Sequence, residues 1–202
     1  MGRPSVARLS IEGIVDEALA LIDSGDTFSM RALGKRLGVA APSLYYHVGG
    51  LDHLVDLIRD RMVRDFPPPA PDDGRPWREE LEAILRSMRA GYAAHPRLVA
   101  LLVGTPITSE MVLGIYERMA ASLDAAGFAP HAVSVYLEAL DSFALGIALE
   151  RAAPSEVWRT SPATGALAAA SSAWTDADAR LDAAFEMGLQ ALLDAIDRAS
   201  RA

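Results

Sequence analysis

Residues 29–48 read SMRALGKRLGVAAPSLYYHV. Ser29 is a favoured helix N-cap, and the helix that it begins is predicted to end at Gly38. Pro42 suits the first turn of a second helix, because its missing N–H costs nothing there, and Gly49-Gly50 predicts the end of that helix. Two short helices joined by a three- to four-residue turn containing glycine are typical of a helix-turn-helix unit.

In such a unit the second helix lies in the DNA major groove while the first crosses the sugar-phosphate backbone. Helical spacing predicts that Leu44 and Val48 point inward together with Ala41. The outward set is polar or aromatic and suits contacts with phosphates and base edges: Pro42, Ser43 and Tyr46, flanked by Tyr45 and His47. The alternative is a helical hairpin whose tyrosines only cap a core.

The helix-turn-helix unit itself is basic, although the chain as a whole has a net charge of −8. The segment from Thr27 to Leu51 contains Arg31, Lys35 and Arg36 and no acidic residue. A local basic patch in an acidic protein indicates a DNA-binding domain attached to a second domain with a different function. Solvated helix faces would give the same charge pattern.

The rest of the chain also has the apolar period of helices. One helix is predicted from the Ser10 cap to Gly25, and a fourth from near Asp52 to Phe66. After a proline-rich stretch, further helices are predicted at 77–94, 109–126, 129–151 and, capped by Thr175, to about 199, with a short apolar piece at 98–103 and a mobile loop at 153–174. The fold is therefore predicted to be all-α, with a helix-turn-helix domain at 1–51 and a regulatory domain at 52–202. Within the latter, 52–66 is a connecting helix and 67–76 a linker.

Composition excludes several classes of protein. The chain has no cysteine, so disulfides and thiolate metal sites are excluded. No signal peptide and no apolar run long enough to span a bilayer is apparent, which predicts a soluble cytoplasmic protein.

Residues 29–39 and 41–48 resemble the DNA-binding domain of the tetracycline-repressor (TetR) family, and the likeness runs from about Leu9 to Phe66. The resemblance implies a homodimer that binds a palindromic double-stranded DNA operator and leaves it when an unidentified small-molecule effector is bound. Operator contacts carried over from the family fall on Arg31, Ala41, Pro42, Ser43, Tyr45, Tyr46 and His47. A lysine common just after the recognition helix is replaced here by Gly49-Gly50-Leu51, and Arg3 and Arg8 are candidates to supply that charge.

A weaker resemblance to the tetracycline-type regulatory domain continues through Trp77, the region of His95, 102–105, 127–128 and 143–150. Those repressors hold a magnesium-chelated drug with imidazoles and amides. Here the corresponding positions are Pro67, Ile84, Leu102 and Ser142, so we expect neither a metal site nor a cofactor. The candidate pocket residues Met88, Tyr92, Met119 and Phe143 instead suit a mostly apolar effector.

Nine side chains are predicted to line the effector pocket, seven of them apolar or aromatic and two offering polar handles: Met62, Phe66, Met88, Tyr92, Leu102, Met119, Phe143, Glu138 and Ser142. Arg118 is a further candidate handle. The alternative is that many of these residues are ordinary core residues of a helix bundle, and Glu138 could lie on an exposed face.

The C-terminal helices are apolar over more of their circumference than one protomer needs, which predicts a four-helix bundle shared by two copies. A charge in the middle of either helix, such as Leu189→Glu, is expected to give monomers. An enzyme is the less favoured interpretation, since the four histidines are scattered and no catalytic motif is recognisable. A helical adaptor that binds neither DNA nor ligand is the other alternative.

Overall fold

The structure is a computed structural model that describes residues 9–71, 74–153 and 165–200. Within these ranges it consists of helices and no strands, which confirms the all-α prediction. The α-helices are α1 (Ile11–Asp23), α2 (Met30–Leu37), α3 (Ala41–Val48), α4 (Leu51–Asp65), α5 (Trp77–Ala94), α6 (Val99–Val103), α7 (Glu110–Ala125), α8 (Pro130–Ala152), α9 (Gly165–Ser172) and α10 (Ala177–Ser200). A 3-10 turn, Pro96–Leu98, precedes α6.

Serine side chains cap three of these helices, as local sequence predicts for Ser10 and Ser29. The Ser10 hydroxyl accepts a hydrogen bond from Gly13 N at 3.1 Å, and that of Ser29 accepts one from Ala32 N at 3.0 Å. Ser109 caps α7 in the same way. Gly38 ends α2 with a φ of +70°, a left-handed conformation that glycine adopts without steric cost.

Two predictions about the C-terminal part were wrong. Within the predicted loop 153–174, residues Gly165–Ser172 form α9, a stretch rich in alanine, which is the best helix former. Thr175 does not cap α10. The carboxylate of Asp176 accepts hydrogen bonds from the main-chain N–H groups of Asp178 and Ala179, at 2.9 and 3.2 Å.

The buried apolar residues form two clusters. The first joins α1, α2, α3 and α4, and it extends to Leu98 and Leu102 near α6. The second lies between α5, α7, α8 and α10. Helix α4 packs into the first cluster through Leu54, Val55, Ile58 and Met62, so the connecting helix is part of the N-terminal core over most of its length.

The described part of the proline-rich linker is non-helical and lies against the second cluster. Arg75 contacts Glu80 at 2.5 Å, and Arg118 on α7 pairs with the same carboxylate. Arg118 also donates to the carbonyl of Pro69 at 3.0 Å. Arg118 is therefore a linker contact and takes no part in the predicted pocket.

Helix α8 is the one helix of the described residues that is long and apolar enough to cross a membrane, with a mean hydropathy of 1.5. The core helices of soluble proteins meet the same criterion. Its buried face packs on α5, α7 and α10, and much of the remaining circumference is exposed in the single chain.

Candidate functional site

Helix α3 presents the predicted outward residues to solvent. Leu44 and Val48 are fully buried and anchor the helix in the first cluster. On the opposite side, Tyr46 is 88% exposed and Tyr45 is 49% exposed. Pro42 and Ser43 are also exposed, whereas Ala41 and His47 are half-buried. The orientation inferred from helical spacing is therefore the one that the structure has.

Helix α2 packs closely against the turn that leads into α3. A Cβ atom added to Gly34 would lie 2.9 Å from the carbonyl oxygen of Val39, so only glycine permits this approach. Arg31 and Lys35 are exposed beside α3, while Arg36 pairs with Glu17 of α1. Arg3 and Arg8, the candidates for additional phosphate contacts, lie outside the described residues.

Hydrogen bonds join helix α4 to the end of α6 and to the segment between α6 and α7. The buried guanidinium of Arg59 pairs with Asp56 at 2.8 Å. It also donates to the main-chain carbonyls of Leu102, Thr105 and Pro106 at 2.9, 2.6 and 2.8 Å. Both terminal nitrogens of the guanidinium thus have acceptors, as a buried charge requires.

Asp56 completes this junction from the same helix. Its carboxylate accepts a hydrogen bond from Thr108 N at 3.1 Å and another from the Thr108 hydroxyl. Burial by itself would raise the pKa of Asp56, but the hydrogen bonds from Thr108 and Arg59 outweigh it and hold the pKa below its usual value. The ionised form is therefore the stable one in the folded protein.

A cavity of about 450 Å³ lies behind this junction, enclosed by α4, α5, α6, α7 and α8. Seven of the nine predicted pocket residues line it: Met62, Phe66, Met88, Tyr92, Leu102, Glu138 and Ser142. Its volume is within the range of small-molecule sites, and apolar side chains form most of the wall. Whether a ligand contacts these residues stays a prediction.

Met119 and Phe143 do not line the cavity. Met119 is 1% exposed and belongs to the second cluster. Phe143 stacks on Phe185 of α10, with ring centroids 5.6 Å apart, and its ring fills the space above Gly188. Helical period alone cannot distinguish a core residue from a cavity residue, because both lie on inward faces.

Several cavity residues were missed, among them Arg59, Tyr116 and Asp141. The Tyr116 hydroxyl donates to the Asp141 carboxylate at 2.6 Å. A signal was present in the sequence: Asp141 lies three positions after Glu138, which was predicted, and so shares its helix face. Burial raises the pKa of Asp141, and the nearby Glu138 adds to this, while the hydrogen bond from Tyr116 opposes it.

No histidine lines the cavity, and the described residues contain no group of three or more metal-ligating side chains. Leu102 and Ser142 do lie in the wall, as expected, but Ile84 is fully buried in the second cluster. Of the two carboxylates in the wall, Glu138 is a predicted polar handle and Asp141 is not.

The exposed faces of α8 and α10 carry stripes of small and apolar residues. On α8 these are Val135, Ala139, Gly146 and Leu149, and on α10 they are Ala183, Met187, Ala191 and Ala195. Val135 is 62% and Met187 73% exposed in the single chain. Leu189, by contrast, is wholly buried within the protomer.

Comparisons with known proteins agree with this architecture. Residues 69–199 match the family model described as "Tetracyclin repressor-like, C-terminal domain". An HTH-type transcriptional regulator of Saccharopolyspora erythraea is 31% identical over 75% of this chain and 63% of its own length. The repressor DrrR1 of Streptomyces coeruleorubidus is 29% identical over 78% and 59%. The chain thus spans about three fifths of the length of these two relatives.

Solved structures give the same likeness over nearly the whole chain. A TetR variant of Acinetobacter baumannii AYE in complex with minocycline has a TM-score of 0.72 and 26% identity, covering 96% of this chain and 99% of that one. ActR of Streptomyces coelicolor in complex with actinorhodin has a TM-score of 0.72, 27% identity and the same coverage.

Proposed function

The chain belongs to the tetracycline-repressor (TetR) family of transcriptional regulators, and from this premise we propose that it is a repressor. In this proposal a homodimer binds a palindromic operator and is released by a small, mostly apolar effector. The relatives are named as regulators, and the chain is not an enzyme. We place its action in the cytoplasm.

The exposure of Tyr46 is the observation that carries the DNA-binding part of the proposal. A large aromatic side chain that is 88% exposed, on a helix anchored by Leu44 and Val48, has no role in the core. Together with Tyr45, Ser43 and Arg31 it forms a surface of hydrogen-bond donors and one fixed charge. Such groups contact phosphates and base edges when a helix enters the major groove.

Dimerisation is expected because one helix-turn-helix domain contacts only a short stretch of DNA. A single recognition helix contacts only a few base pairs, so specific binding needs two helix-turn-helix domains at a defined spacing. The small-residue stripes of α8 and α10 would let the same helices of a second copy approach closely. This would form a four-helix bundle and cover Val135 and Met187.

Release by an effector requires that a ligand in the cavity changes the position of the helix-turn-helix domain. Met62 belongs to the first cluster and also lines the cavity, and Phe66 lines it one turn later. A ligand that displaces either residue would tilt α4. The hydrogen bonds of Arg59 would transmit movement of the cavity wall at Leu102 to the same helix. A coupling of about 1–3 kcal/mol is typical of such two-state systems.

Selection of DNA from a random pool tests this function although the operator sequence is unknown. We expect enrichment of a palindrome whose half-sites are one helical turn, about 34 Å, or a multiple of it apart. Binding should weaken steeply with salt as counterions are released. A selected pool without palindromic enrichment, or DNA binding that does not weaken with salt, would exclude a dimeric DNA-binding repressor and favour a helical adaptor.

A further inference from the structure

The cavity wall carries two carboxylates that form no ion pair among the described residues. Glu138 and Asp141 lie one helical turn apart on α8, and both face the cavity. In the part of the chain that the structure describes, Arg59 is the single cationic residue of the wall, and its guanidinium donates to Asp56 and three main-chain carbonyls. Arg59 acts on Asp141 through space and lowers its pKa, but its hydrogen bonds all go to these other acceptors and none goes to Asp141.

The depth of the two carboxylates differs. Glu138 is exposed in the single chain, as are three other residues of the wall, Val103, Pro106 and Ser142. Asp141 is half-buried and lies further inside, where its Oδ1 accepts the hydrogen bond from Tyr116. Its Oδ2 receives no hydrogen bond from the described part of the chain. A ligand in the cavity thus meets a carboxylate oxygen of Asp141 that accepts no hydrogen bond from the described residues.

We propose that the effector of this cavity is an amphipathic amine, a largely apolar molecule whose protonated nitrogen lies against Glu138 and Asp141. The proposal rests on the proposed function only in taking this cavity as the effector site. Ionising a half-buried carboxylate that forms no ion pair is costly, and a ligand cation reduces that cost by forming a charge-assisted hydrogen bond with the second oxygen of Asp141. An anionic ligand would add a third negative charge and be repelled.

The aromatic residues of the wall fit the same class of ligand. Tyr92 lines the same cavity as Asp141, and within the described residues its hydroxyl makes no hydrogen bond. Tyrosine faces attract cations, and Met62 and Met88 adapt to irregular apolar bodies. The negative charge of the two carboxylates would also raise the local concentration of cations.

Three fluorescent probes, each with the same dansyl group but a different charge, test the proposal on the full-length protein. Dansylcadaverine carries a protonated amine, N-pentyl dansylamide is neutral, and dansyl-6-aminohexanoate is an anion. We expect saturable binding of the amine with one site per chain, about tenfold or more tighter than the neutral probe, with the anion weakest. Equal binding of the three, preference for the anion, or no saturable binding of the amine would overturn the proposal.

Variants assign the preference to the two carboxylates. Glu138→Gln and Asp141→Asn keep size and hydrogen bonding but remove the charge, and each should reduce the advantage of the amine over the neutral probe several-fold. Glu150→Gln is the matched control, since Glu150 is exposed on the same helix outside the cavity wall. An amine preference that survives in both cavity variants, or that falls equally in Glu150→Gln, would show attraction to the acidic protein in general and overturn the proposal.

The two proposals fail in different ways. A protein that enriches a palindrome but does not distinguish the probes is a dimeric DNA-binding regulator with another class of effector. A protein that prefers the amine through Glu138 and Asp141 but enriches no DNA has the proposed cavity chemistry without the proposed function.

Discussion

The guanidinium of Arg59 donates a hydrogen bond of 2.9 Å to the carbonyl oxygen of Leu102, a residue 43 positions later in the chain. Arg59 lies on α4, which packs against the helix-turn-helix, and Leu102 is part of the cavity wall. Arg59 is held in place by Asp56, so one buried ion pair lies between the DNA-reading surface and the cavity.

Asp56→Asn tests the contribution of this pair to stability. The pKa of Asp56 is lowered in the folded protein, so the folded state binds fewer protons than the unfolded state as pH falls. The stabilisation is therefore complete above the usual carboxyl pKa, about 4, and is lost as pH falls through the lower folded value. We expect the variant to be less stable by roughly 3 kcal/mol at pH 7, with a difference that shrinks below about pH 4.

Urea unfolding of both proteins between pH 7 and pH 3 measures this difference. A gap that is constant over the whole range would show that the substitution acts through packing and not through the charge of Asp56.

Tyr46→Ala should weaken operator binding by roughly 1–3 kcal/mol and leave the melting temperature unchanged, because the side chain is 88% exposed. Arg31→Ala should behave in the same way. Fluorescence anisotropy with the selected operator measures affinity, and Tyr46→Phe separates the hydroxyl from the ring. A Tyr46→Ala protein that unfolds, or that binds DNA normally, contradicts the assigned recognition surface.

Gly34→Ala should destabilise the fold by about 1–3 kcal/mol, because the new Cβ would lie 2.9 Å from the carbonyl oxygen of Val39. Gly114→Ala is the control. Gly114 lies in helix α7 with open space around its Cβ position, and alanine there should stabilise the protein by about 0.5–1 kcal/mol. Thermal unfolding of the two variants is the measurement, and equal shifts of the same sign would refute the close approach of α2 to the turn.

Met187→Glu is expected to convert the dimer into folded monomers that no longer bind a palindrome, since it places a charge in the exposed stripe of α10. Leu189→Glu, expected from sequence to do the same, should instead unfold the protomer, because Leu189 is fully buried within the single chain. Sedimentation velocity and circular dichroism distinguish the two results. A wild-type monomer at micromolar concentration would refute the dimer.

Tetracycline should gain no affinity from added magnesium. The cavity wall contains no histidine, and Leu102 cannot coordinate a metal. A thermal-shift titration with tetracycline, in the presence of magnesium and separately with EDTA, tests this. Saturable stabilisation that requires magnesium, with release from operator DNA, would mean that the drug-binding positions were misaligned.

The cavity shows where sequence patterns are insufficient. Met62, Phe66, Met88 and Tyr92 are apolar or aromatic side chains predicted to line a cavity, and they line it. Met119 and Phe143 have the same pattern but fill the core, since burial depends on which neighbouring helix covers each position. A single helix face carries no information about the helices that pack on it.

Local chemistry in the sequence determined the helices, their caps and the outward face of α3. Ser10, Ser29 and Gly38 act within four residues along the chain, and the 3.6-residue period alone orients Leu44 and Tyr46 on opposite sides. Only the tertiary structure decided that Arg59 bonds to Leu102 and that Asp141 faces a cavity. Those contacts join residues tens of positions apart, or depend on space left between several helices, and no local pattern specifies either.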